Sequence, residues 1–92
     1  MNVLVLVDAH PGLRGHVTRW MVEVQAGVFV GSSPRRVRDR LWRLIADRIG
    51  DGYAVLIEPS DAEQGWSVRT AGTERWSPID FDGLTLMSRQ RR

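Results

Sequence analysis

A chain of 92 residues, 42% of them hydrophobic, makes one small folded domain that buries only about 60 to 65% of the surface its unfolded form exposes, so self-association is a natural supplement. No apolar run approaches the roughly 20 residues of a membrane span, and the about six apolar residues after Met1 lack the basic and cleavable flanks of a signal peptide. With no cysteine, disulfides and thiolate metal sites are excluded, and a cytoplasmic protein is expected. The formal charge is only +2, yet all 13 basic residues are arginine. They cluster between Arg14 and Arg48 and at the end of the chain, whereas acids gather at Asp51 to Glu63 and Asp80 to Asp82, which predicts one basic face and one acidic face.

In chain order, Val3 to Val7 is an unbroken apolar run that reads as a central strand buried on both faces. Leu13, Val17, Trp20, Met21 and Val24 then fall on one helical face, which predicts a first helix from Pro11 to Gln25 stopped by Gly27. Val28 to Val30 is a short strand between glycines. A second helix follows, with Ser33 as its expected side-chain cap, Pro34 at the first helical position, and a core stripe of Val37, Leu41, Leu44, Ile45 and Ile49. Tyr53 to Glu58 is a strand, and Trp66, Val68 and Thr70 alternate with polar or small residues as a half-exposed antiparallel partner. Pro78 leads into a last extended segment, Ile79 to Met87, with a turn at Asp82-Gly83. The order β-α-β-α-β-β plus a C-terminal arm predicts an α/β (α+β) domain. Its plan is a ferredoxin-like two-layer sandwich, two helices on one face of an antiparallel sheet, over residues 1–77, with 78–92 as arm and basic tail. The hairpin usual between the helices has only Glu23 to Gly31 available, so it must be very tight or reduced to one bent strand.

The start of the second helix carries the strongest chemical signal. Arg35, Arg36, Arg38, Arg40 and Arg43 crowd an end where the helix dipole disfavours cations unless an anion binds alongside. Arg36 and Arg38 lie in the first turn, where amides and guanidinium groups converge, and read as phosphate contacts. Arg40 and Arg43 read as an ordinary solvated face, with Asp47 and Asp39 in reach. Arg14, between glycines at the start of the first helix, extends the basic set. No aromatic platform for single strands accompanies these arginines, so duplex backbone is the expected ligand. Asp8, directly after the first strand, is either a cap of the first helix or a magnesium ligand, and one carboxylate makes a poor magnesium site unless a two-fold dimer brings two copies together. His10 and His16 have neither metal spacing nor a nucleophile partner and read as surface or cap residues.

Several stretches together, LVLVD, LRG, Trp20, EV-x-AGV-F-VG, Arg36-x-Arg38, Trp42, the Trp66 strand and Pro78-x-Asp80-x-Asp82-Gly83-Leu84, resemble CRISPR-associated protein 2 of the type I-E systems over essentially the whole chain. The resemblance implies a homodimer that bridges dimers of the integrase CRISPR-associated protein 1 during spacer acquisition. It would bind duplex DNA, prespacer or CRISPR repeat, through the phosphate backbone, with the chemistry left to the integrase and no cofactor required. Arg14, Arg36, Arg38 and Arg75 match DNA-contacting positions, and Ile79, Asp80, Phe81, Asp82, Leu84 and Leu86 match the arm that docks on the integrase. Gly12 and Trp76 stand where such relatives carry arginine. The same resemblance supplies the alternative, a magnesium-dependent endonuclease acting on RNA or DNA through Asp8 at the dimer interface.

Overall fold

The computed structural model describes residues 1–73 in full and the strands Trp76–Phe81 and Leu84–Arg89 as backbone. The elements are β1 (Asn2–Val7), α1 (Pro11–Val17), β2 (Val22–Gln25), β3 (Val28–Gly31), α2 (Arg35–Arg48), β4 (Tyr53–Pro59), β5 (Trp66–Gly72), β6 (Trp76–Phe81) and β7 (Leu84–Arg89). Five strands form one antiparallel sheet in the order β2-β3-β1-β4-β5, and β6 pairs with β7. The two helices between these strands complete the ferredoxin-like α+β plan that the sequence predicts.

The first helix is much shorter than its periodicity predicts. After Val17, the amides of Trp20 and Met21 both donate to the Val17 carbonyl and close a turn, and the chain leaves as an edge strand paired to β3. Met21 still reaches the core, 5% exposed, so Leu13, Val17 and Met21 keep their helical spacing without a helix beyond Val17. Trp20 and Val24, expected on that stripe, are 55% and 61% exposed. β-branched Val22 and Val24 alternating with Glu23 and Gln25 suit a strand, and pairing with β3 overrides the helical register. The tight hairpin the fold needs is thereby supplied. Its turn depends on Gly27, at φ +78°, where a Cβ would come within 2.5 Å of the Leu6 carbonyl oxygen.

The core lies between the sheet and the helices. Leu4, Leu6, Phe29, Ala54 and Leu56 from the strands meet Leu13, Val17, Ile45 and Ile49, with Met21 just before β2. Contrary to the two-sided burial expected for it, β1 alternates: Asn2, Leu4 and Leu6 are buried, Val3 and Val5 half-buried, and Val7 exposed. The register aligns Val5 with Val28 and Val55, and Val3 with Val30 and Ile57, across the side of the sheet that faces away from the helices. A continuous apolar run thus fills a sheet with helices on one side only.

Candidate nucleic-acid interface

The N-terminus of α2 is built differently from the expected serine cap. Pro34 is the capping residue and supplies no side-chain bond, so Ser33 does not cap through its hydroxyl. The Ser33 carbonyl instead accepts from Asn2 Nδ2 at 3.2 Å and from Arg38 Nη1 at 3.0 Å, tying the helix start to β1. No acid lies in the first turn.

Beneath this turn, Arg38 donates from Nε to Glu58 Oε1 at 3.2 Å, and Arg69 donates to both Glu58 oxygens and to Asp39 Oδ1. Glu58 is 5% exposed, and the Arg38 side chain retains only 14% of its surface. A desolvated carboxylate shared by two guanidinium groups therefore clamps α2 to β4 and β5. The bond to Glu58 is the main reason the Arg69 pKa is raised. Asp39 serves this network rather than Arg43, with Arg35 at 4.0 Å as a second, looser partner.

The other side chains of the predicted basic set divide by freedom. Arg36, Arg40 and Arg43 are exposed and make no hydrogen bond or ion pair among the described residues. Arg14 is held: its Nη2 donates to Glu23 Oε2, which also accepts the Gly27 amide at 2.9 Å, so one carboxylate joins α1 to the hairpin turn. Arg14 and Arg36 are not neighbours. His10, Leu13 and His16 of the α1 region share a notch with Arg48, the last residue of α2, so α1 stands beside the far end of the helix whose first turn holds Arg36, about 18 Å along its axis. Arg75 and Asp82 lie outside the described residues. Ile79 stands opposite Leu86, Phe81 opposite Leu84 and Asp80 opposite Thr85 along the β6-β7 ladder.

Asp8 does not cap α1. His10 does so, accepting the Gly12 amide on Nδ1 at 3.0 Å. Asp8 is exposed and holds φ 55°, the left-handed region an aspartate tolerates better than most residues. Among the described residues no group of three or more His, Cys, Asp or Glu side chains could hold a metal ion.

Sequence reasoning missed Glu58 and Arg69. Parity along the strands was the available signal, because Glu58 falls in step with buried Ala54 and Leu56 and is thus placed under the helices.

A sequence model of the family described as CRISPR-associated protein (Cas_Cas2CT1978) matches residues 1–86. The chain belongs to this Cas2 family. Membership supports a role in CRISPR adaptation, and it spans every element from β1 through β6 and the start of β7. Among the described residues of this Cas2 chain the candidate contacts fall into two kinds: exposed arginines on the outer side of α2, and arginines already bound to carboxylates. No helix among the described residues is long and apolar enough to cross a membrane.

The carboxylates that hold the cations set an acid limit on the fold. Glu23 lies below the usual carboxylate range because of the Gly27 amide first and Arg14 next, and Asp39 because of Arg69. Both have folded-state values below their unfolded ones, so the stability they add is present above about pH 4 and lost as pH falls through the folded values. Thermal unfolding is expected to be level near neutrality and to drop below about pH 4, less steeply in Glu23→Gln. Glu23 is exposed and Asp39 half-buried, so added salt should shrink the difference, most of all for Glu23.

Proposed function

We propose that this Cas2-family protein, of the type I-E subgroup, is a homodimeric scaffold that binds duplex prespacer DNA by its phosphate backbone and bridges dimers of the CRISPR-associated integrase. One observation carries the reading: the sheet separates two unlike surfaces, arginines on the helical side and an aliphatic array of Val3, Val5, Val28, Val30, Val55 and Ile57 on the other. The first suits a polyanion, and the second suits a second copy of the chain. Arg14, Arg36 and Arg75 supply charge to the backbone. Arg38, with its guanidinium already engaged by Glu58 and Ser33, presents a fixed edge. The β6-β7 segment, through Ile79, Asp80, Phe81, Asp82, Leu84 and Leu86, docks on the integrase, which performs the chemistry.

Mixing the protein with its cognate integrase and a short duplex, then measuring complex mass and composition, tests the assembly. The expected product contains two copies of this chain and integrase on both sides, whereas failure to co-purify would overturn the bridge. Duplex affinity is expected to fall steeply with salt, and Arg36→Ala to lower the slope of log K against log salt by about 0.9 for each lost phosphate contact.

A further inference from the structure

Three of the exposed arginines of α2 form a line. At 100° per residue, positions 36, 40 and 43 fall within about 60° of one another, on the side of the helix opposite buried Ile45. At 1.5 Å per residue, Arg36 to Arg43 covers about 10 Å, or roughly three base-pair rises of a duplex. The acids nearest this line are engaged by other arginines: Glu58 is shared by Arg38 and Arg69, and Asp39 by Arg69 and Arg35. Asp47, on the same face, is the one acid left along it, and it makes no ion pair among the described residues. Like charges at i, i+4 and i, i+3 repel on a helix surface, so this ridge weakens its own helix until an anion lies along it.

We propose that Arg40 and Arg43 continue the phosphate contact begun by Arg36, so that a duplex backbone tracks the outer face of α2 rather than touching only its first turn. The proposal rests on the duplex-binding reading above. The occupant is a phosphodiester backbone because the ridge offers repeated planar donors, without buried apolar surface, to a ligand of regularly spaced anions.

The test is the salt dependence of binding of a labelled duplex to the full chain, followed by fluorescence anisotropy. Arg40→Ala and Arg43→Ala are each expected to lower the slope by about 0.9, the double variant by about 1.8, and Arg40→Lys with Arg43→Lys to restore it. Thermal melts of the alanine variants should lie at or slightly above the parent's, because each relieves like-charge repulsion along the ridge. If Arg36→Ala lowers the slope while the double alanine variant binds as the parent does, the ridge is an ordinary solvated face and the inference falls alone. If the parent shows no salt-dependent duplex binding, the duplex reading falls and takes the ridge with it. Tighter binding of polyglutamate than of duplex, lost in the double variant, would assign the ridge to an acidic protein and overturn the proposal.

Discussion

Replacing Glu58 by glutamine is expected to lower the unfolding free energy by about 3 kcal/mol, the lower end of the cost of breaking a buried ion pair. Glutamine nearly preserves the shape, so the loss is electrostatic. Arg38 and Arg69 would face a neutral amide, and one of its two heads donates toward groups that can only donate. Arg38 is the more costly of the two, with 14% of its side-chain surface in contact with water against 31% for Arg69. For a domain of this size the loss corresponds to a fall in Tm of about 12 to 24 °C, read by calorimetry. The exposed Arg35–Asp39 pair, 4.0 Å apart with Arg35 82% exposed, provides the contrast: Arg35→Ala should change stability by less than about 0.5 kcal/mol. Replacing Glu58, Arg38 and Arg69 together by apolar residues of similar volume should recover much of the loss, because the desolvation cost disappears along with the attraction. Equal stability of Glu58→Gln and parent would mean that the clamp contributes nothing to holding α2 on the sheet.

How legible this protein was depends on whether the deciding interaction is local. The two-layer plan could be read because strand and helix periods differ and Gly27, Gly31 and Gly50 punctuate them. The length of α1 could not, because Leu13, Val17 and Met21 hold the same spacing whether the chain continues as helix or turns into β2, and the choice is made by pairing with β3. A helical wheel separates Arg36 from Arg38 but cannot tell what lies under either flank. The partner that claims Arg38 is 20 residues away on β4, and Arg69, which completes the clamp, is 30 residues from Asp39. The cap of α1 is decided by a local competition between two residues that both read as possible caps: the His10 ring reaches the Gly12 amide, so Asp8 is left outside the helix.

A charge placed in the aliphatic sheet face should separate two copies of the chain without unfolding either. Val5 is the central choice, flanked by Val28 and Val55 across the strands and only half-buried within one chain. At such a position Val5→Glu costs a monomer about 1 kcal/mol, mainly in strand preference and lost side-chain contact. Between two packed sheets the same carboxylate would be desolvated without a partner, and two-fold symmetry would set a second one across the interface. A penalty of about 4 kcal/mol follows, roughly a thousandfold in dimer dissociation, read by sedimentation equilibrium. A parent chain that stays monomeric, or a Val5→Glu chain that dimerises as tightly as the parent, would sink the proposed interface. The same variant couples the two faces of the sheet. If each chain of a dimer contributes its own arginines to one duplex, separating the chains halves the number of phosphates neutralised per complex and so halves the salt slope, although no arginine has been touched. A Val5→Glu chain that becomes monomeric yet keeps the full slope would place the whole duplex site on one subunit, with the second sheet face serving some other contact.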